Sequence, residues 1–163
     1  DNEQSAEDSI PDMEENQHEE EQADVYGLLF TELESILAND KASNPLTCWM
    51  IGERLRRTLA VFKTPENGIK AFKELQKQIA SRFGKDLSMD KLQECLSFAD
   101  EFPDMTIFSE ICETLSLEHL RLIVELESDM ARTFYCEMCK AEKWSVEELQ
   151  TKIAQKSFEQ EFE

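Results

Sequence analysis

From residue 25 onward, apolar side chains recur at every third or fourth position, which is the spacing of amphipathic helices. The first stretch starts at Val25 and predicts a helix that ends near Ala38. Later stretches predict helices over residues 45–62, 65–83, 88–100 and 106–113, and from residues 116, 128 and 145 onward. No stretch favours a strand. The pattern therefore predicts an all-α fold of about seven helices, with a helix-turn-helix-like arrangement in residues 88–126.

Capping residues mark where these helices start. Asn44 and Thr64 each precede a proline, a residue favoured at the first helical position. Three serines each lie between an apolar residue just before them and another one four positions after them, which is a hydrophobic staple; they are Ser88, Ser116 and Ser145. Glu148 predicts a capping box with the last serine, and Gly84 occupies a C-terminal cap position.

Charge divides the chain into three parts, although the net charge of all 163 residues is −19. Residues 1–44 carry −13, residues 45–91 carry +5 and residues 92–163 carry −11. Within the first part, residues 1–22 have no apolar periodicity and cannot bury enough surface to offset the entropy of ordering. We therefore predict a disordered acidic tail over 1–22 and one helical domain over 23–163.

The basic middle of the chain is the strongest functional indication. Its candidate nucleic-acid-binding residues lie on the second and third predicted helices and just after them: Arg54, Arg56, Arg57, Lys70, Lys73, Lys77, Arg82 and Lys85. A stripe of such cations can follow a phosphate backbone, where binding comes from charge neutralisation and counterion release. The alternative is that these cations pair with the chain's own acids. Pairing with acids of residues 92–163 would favour a protein-interaction module.

Five collinear elements resemble the YhcG-type N-terminal domain. They are Trp49-Met50-Ile51-Gly52, the segment from Phe83-Gly84 through Leu92 with Phe98 and Phe102-Pro103, Leu115-Ser116-Leu117-Glu118-His119-Leu120, Arg132-Thr133-Phe134-Tyr135, and Trp144-Ser145-Val146-Glu147-Glu148-Leu149 with Ile153. The collinear resemblance extends from about residue 30 to residue 158. The resemblance implies a helical accessory domain that contacts DNA or positions a nuclease.

The resemblance also adds site candidates, which are Trp49, His119, Arg132, Tyr135 and Trp144. Two aromatic positions of the family's pattern are occupied by leucine in this sequence. Family members usually continue into a PD-(D/E)xK nuclease domain, and this sequence ends where that domain would begin. Because residues 1–163 contain no (D/E)-x-K triplet, we expect no metal-dependent phosphodiester cleavage here.

Other chemistry has weak support in the sequence. Cys136 and Cys139 form a C-x-x-C motif without a second ligand pair for zinc, so we interpret them as small apolar residues. The odd number of five cysteines predicts reduced thiols and a cytoplasmic location. We expect no catalytic residues, no metal, no cofactor, no membrane association and no small-molecule substrate.

Two functions therefore remain open. The first is a non-catalytic accessory domain whose partner is DNA or a nuclease-domain protein. The alternative is a protein–protein interaction or homo-oligomerisation module with no role in nucleic-acid binding.

Overall fold

The computed structural model describes residues 10–61 and 65–162, with side-chain detail from Val25 onward except at positions 65, 67 and 162. Its α-helices are α1 (Ile10–Asn39), α2 (Pro45–Leu59), α3 (Pro65–Phe83), α4 (Met89–Glu101), α5 (Met105–Thr114), α6 (Leu117–Val124), α7 (Asp129–Glu142), α8 (Val146–Ala154) and α9 (Ser157–Phe162). A 3₁₀ turn, Gly84–Leu87, joins α3 to α4. The described ranges contain no strand, so the predicted all-α fold is confirmed.

Helix α1 begins at Ile10, earlier than the Val25 start that the apolar pattern predicts. The difference falls on the polar positions 10–24, where only the backbone is described. Of the predicted tail, residues 1–9 lie outside the described residues. The part of α1 that enters the core is the apolar stripe, where Leu29 and Leu33 are buried.

The centre of the fold is the contact between α2 and α4. A Cβ atom on Gly52 would lie 1.9 Å from the carbonyl oxygen of Cys95, so only glycine permits the two backbones to approach this closely. The side chains of Ile51, Leu92 and Phe98 are fully buried around this contact. The remaining helices pack their apolar faces around this pair.

Most of the predicted caps are present. The side chains of Ser88, Ser116 and Ser145 each accept the backbone N–H of the third helical residue. Asn44 caps α2 by accepting the N–H of Leu46 at 3.0 Å. Gly84 has a φ of +62°, the left-handed conformation in which glycine carries no steric cost. Phe62 and Thr64, predicted to flank the break between α2 and α3, lie outside the described residues.

The predicted capping box at Ser145 is only half formed. Glu148 donates its backbone N–H to Ser145 Oγ at 3.1 Å, but its carboxylate lies 3.4 Å from the same hydroxyl rather than against the Ser145 backbone N–H. The reciprocal box forms at Ser116 instead, where His119 Nδ1 accepts the Ser116 backbone N–H at 3.2 Å. An imidazole there performs the role that a carboxylate usually has.

The helix-turn-helix-like arrangement predicted for residues 88–126 corresponds to α4, α5 and α6, and α4 and α6 are in contact. That arrangement stays a prediction. Within the described residues, none of the helices combines the length and apolar character that crossing a membrane requires.

Candidate nucleic-acid interface

Helix α3 separates an apolar face from a lysine face. Leu75 and Ile79 are fully buried. Lys70, Lys73 and Lys77 are exposed, and their spacing of three and four residues places them together on the solvent side. Lys85, which is also exposed, follows on the 3₁₀ turn. We call these four residues the lysine face.

Two arginines of the basic middle bind α1. Arg54 Nε lies 3.0 Å from a carboxylate oxygen of Glu32. Arg82 Nε donates to Glu34 at 3.1 Å, and its guanidinium lies 5.3 Å from the centroid of the Phe30 ring. These side chains therefore hold α2 and α3 against α1, through ion pairs and a cation–π contact.

The other two arginines also have partners within the fold. Arg57 Nε lies 2.8 Å from Glu53, one turn earlier on α2. Arg56 Nη1 donates to the carbonyl oxygen of Ala99 on α4 at 3.1 Å. Burial raises the pKa of the neighbouring Asp100, and Arg56 opposes that shift. All four arginine candidates are thus engaged in structural contacts.

The lysine face differs from the arginines. Within the described part of the chain, none of its four ammonium groups forms an ion pair. Lys73 and Lys77 are like charges at the i, i+4 spacing, which costs a helix about 0.2–0.5 kcal/mol. One acid on the same helix, Glu74, acts on Tyr26 of α1, whose pKa is raised by burial and by this carboxylate.

Two of the family-motif candidates belong to the core. Trp49 is buried, donates its indole N–H to the carbonyl oxygen of Phe102 at 2.6 Å and stacks on Phe108. Tyr135 is buried, and its hydroxyl accepts the backbone N–H of Phe158 at 3.3 Å. Packing therefore leaves neither ring accessible, and both side chains have structural contacts in this fold.

Arg132 is a buried structural cation. Its guanidinium lies 2.8 Å from a carboxylate oxygen of Glu101, pairs with Asp129 and donates to the carbonyl oxygen of Leu126. Its Nε has no hydrogen-bond partner among the described residues. These contacts join the start of α7 to the end of α4.

His119 and Trp144 meet directly, although 25 residues separate them. His119 Nε2 lies 2.8 Å from the Trp144 carbonyl oxygen. A carbonyl only accepts, so Nε2 carries the proton and Nδ1 is free to accept from Ser116. The Ser116 hydroxyl also lies 2.7 Å from Nδ1. In a catalytic serine–histidine pair an acid orients the second imidazole nitrogen, but here Nε2 binds the carbonyl oxygen of Trp144.

The cysteines behave as small apolar residues, as the sequence predicts. Cys136 and Cys139 are buried, and burial raises their pKa values to about 12 and about 11. Cys48 and Cys95 lie 2.9 Å apart, sulfur to sulfur, inside the contact between α2 and α4. Because these two cysteines are far apart in the sequence, the sequence did not predict that they are in contact. Among the described residues, no group of three or more histidine, cysteine, aspartate or glutamate side chains is arranged to hold a metal.

Sequence reasoning also missed two lysines, Lys140 and Lys143. They line a cleft with His119 and Trp144. Both lie within residues 92–163, and because that part is acidic as a whole, its net charge did not indicate a local group of cations. The sequence feature that could have indicated them is that Lys143 directly precedes Trp144, the apolar residue before the Ser145 cap.

These observations define an all-α domain with an exposed lysine face on its third helix. The family described as the DUF1016 N-terminal domain matches residues 35–160, and the chain belongs to it. This is the YhcG-type N-terminal domain family, so the resemblance inferred from the five sequence elements is confirmed. No curated protein and no solved structure matches the chain.

Proposed function

We propose that this protein is a non-catalytic helical accessory domain that contacts a nucleic-acid backbone through the lysine face of α3. The observation that carries the proposal is the different environment of the two kinds of cation. The arginines of the basic middle are used in contacts within the fold, whereas Lys70, Lys73, Lys77 and Lys85 have no ion-pair partner among the described residues.

Charge supports the same proposal. A chain with a net charge of −19 has many acids that could neutralise the lysine face. Among the described residues, none of the eight candidate cations forms an ion pair with an acid of residues 92–163, and the one cation of the basic middle that does is Lys91, which binds Glu94 at 2.8 Å. The lysine face therefore stays a local positive surface on an acidic protein, which is what backbone-directed, sequence-independent binding requires.

A salt-dependent titration with duplex DNA tests this function. If each of the four lysines neutralises one phosphate, the slope of log affinity against log salt is roughly −3.6, since each contact contributes about −0.9. K73Q/K77Q should reduce the magnitude of that slope by about 1.8. The matched control is K41Q/K156Q, which removes the same charge from exposed lysines elsewhere.

Reversing the three lysines of α3, as K70E/K73E/K77E, should abolish binding while the circular dichroism spectrum stays helical. Equal slopes for K73Q/K77Q and K41Q/K156Q would show that only net charge matters, and would exclude the lysine face as a site. The absence of DNA binding at low salt would also exclude it.

A second candidate function is protein–protein interaction or self-association. The observation in its favour is that several large apolar side chains are exposed, including Leu28 at 63%, Ile69 at 60% and Met130 at 65%. Single exposed apolar residues are common on monomers, so this observation is the weaker of the two. A mass measurement of the free protein in solution by light scattering tests it, and a monomeric mass at high concentration excludes self-association.

A further inference from the structure

A cleft of about 320 Å³ lies where the turn before α6 meets the connection between α7 and α8. His119, Cys139, Lys140, Lys143 and Trp144 contribute to its walls. Binding pockets for small molecules usually measure about 300–1,000 Å³, so this cleft fits one small ligand.

The connection from α7 to α8 has a fixed geometry. Lys143 ends α7 in the left-handed conformation, with a φ of 54°. Ser145 caps α8 two residues later, and the carbonyl of Trp144 between them accepts a hydrogen bond from His119 at 2.8 Å. Helix α6 therefore holds the segment that carries Lys143 and Trp144.

The cleft gathers cations in an acidic part of the chain. Residues 92–163 contain six lysines and arginines against seventeen acids. Arg121 and Arg132 are held in ion pairs with Glu94 and Glu101, at 2.7 Å and 2.8 Å. The cations that line the cleft, Lys140 and Lys143, belong to the remaining four.

These two lysines are weakly neutralised. The contact of Lys140 with Glu137 is 3.9 Å long, and Lys143 has no ion pair among the described residues. Burial raises the pKa of Cys139 to about 11, so its thiol is neutral and adds no negative charge. The cleft walls therefore carry positive charge beside an aromatic ring.

The geometry points to a nucleoside 5′-monophosphate group as the ligand of this cleft, with its phosphate on Lys140 and Lys143 and its base against the Trp144 ring. Lysine is a common phosphate ligand, and aromatic side chains stack on bases of any sequence. Lys152 Nζ lies 5.5 Å from the centroid of the Trp144 ring, and the indole N–H has no acceptor among the described residues, which leaves a donor for the base or sugar. The inference does not depend on the proposed function, because the lysine face lies on other helices.

Calorimetric titration of the full chain with adenosine 5′-monophosphate tests the site. We expect binding that K140Q/K143Q weakens at least about tenfold, since hydrogen bonds between charged groups contribute that much. The control is K156Q, because Lys156 is also exposed and also left-handed, with a φ of 55°. Adenosine and inorganic phosphate, each carrying half of the ligand, should both bind more weakly than the nucleotide.

Three outcomes would overturn the inference. They are no binding of the nucleotide at millimolar concentration, equal affinities for K140Q/K143Q and K156Q, and adenosine or phosphate binding as tightly as the nucleotide. The helical circular dichroism signal of each variant, measured in parallel, shows whether a loss of binding reflects a loss of fold.

The same chemistry occurs in a free nucleotide and at the 5′ end of a strand. A second titration distinguishes them in the K70E/K73E/K77E background, which removes binding through the lysine face. Tighter binding of a 5′-phosphorylated oligonucleotide than of its 5′-hydroxyl form assigns the cleft to strand ends. Binding of the mononucleotide alone assigns the cleft to a free metabolite.

Discussion

Helices α2 and α3 are neighbours in the chain and share its basic composition, yet their surroundings differ. Helix α2 packs so closely on α4 that Gly52 touches the Cys95 carbonyl. Helix α3 buries one face and exposes lysines on the other. All three cations of α2 are arginines, whereas α3 carries three lysines and a single arginine, Arg82, which pairs with Glu34 of α1. Arginine's planar fork donates several hydrogen bonds to carboxylates and carbonyls, whereas the compact lysine ammonium is strongly hydrated and stays in solvent.

The largest effect should come from adding one methyl group at the contact between α2 and α4. In G52A the new Cβ collides with the backbone of Cys95, and α4 must move. We expect the free energy of unfolding to fall by about 3 kcal/mol. The midpoint of thermal unfolding should fall by about 6–12 °C.

The matched control is G68A on α3, where an added Cβ has no heavy atom within 4 Å. Because alanine restricts the unfolded chain and favours helix, this change should stabilise the protein by about 0.5 kcal/mol. If both substitutions changed the melting temperature in the same direction, the contrast in packing between the two helices would be wrong.

An intermediate loss of stability should follow from replacing Glu94 on α4, whose carboxylate binds two cations. Burial would raise the pKa of Glu94, but hydrogen bonds from Arg121 and Lys91, at 2.7 Å and 2.8 Å, outweigh burial and lower it. E94Q should cost about 1 kcal/mol at neutral pH, because a partly buried pair is worth slightly more than an exposed one.

The pH dependence of that cost has a definite sign. The unfolded carboxylate takes up its proton near its ordinary pKa of 4.5, and the folded one does so at lower pH. Its contribution is therefore complete above pH 4.5 and is lost as the pH falls through the lowered folded pKa. Chemical denaturation of both proteins from pH 7 to pH 3 should show the difference between them shrinking. A difference that stayed constant would mean that the cations do not act on this carboxylate.

The smallest change in stability should come from substitutions in the lysine face. K73Q removes a like-charge pair with Lys77 and should stabilise the protein by about 0.3 kcal/mol. R82Q loses the ion pair with Glu34 and the contact with Phe30, and should destabilise it by up to about 1 kcal/mol. Urea denaturation at low salt measures both. A destabilising K73Q would show that this lysine has a structural partner.

The sequence predicted the local features because they depend on nearby residues. A serine N-cap needs only the N–H groups of the following turn, so Ser88, Ser116 and Ser145 were correctly placed. Gly84 was recognisable because the end of a helix favours a left-handed glycine. The start of α1 was not found, since polar positions 10–24 have no apolar period.

The candidate site was predicted only in part. The sequence identified eight cations but offered little reason to divide them, because three of the four arginines have partners far away in the chain and only Arg57 pairs locally, with Glu53 one turn earlier. Glu34 is 48 residues from Arg82, and the Ala99 carbonyl is 43 residues from Arg56. Similarly, the family resemblance made Trp49 and Tyr135 site candidates, but the Trp49 indole and the Tyr135 hydroxyl bind backbone groups inside the core.

The sequence by itself therefore determined the helical class, the caps, the family and the lysine periodicity of α3, because each of these depends on residues within about two turns or on collinear motifs. Only the tertiary structure decided which cations remain unpaired and that His119, Lys143 and Trp144 share one cleft. Those properties depend on which helices approach one another. That approach is set by burial of the whole apolar surface, which no single segment of the chain encodes.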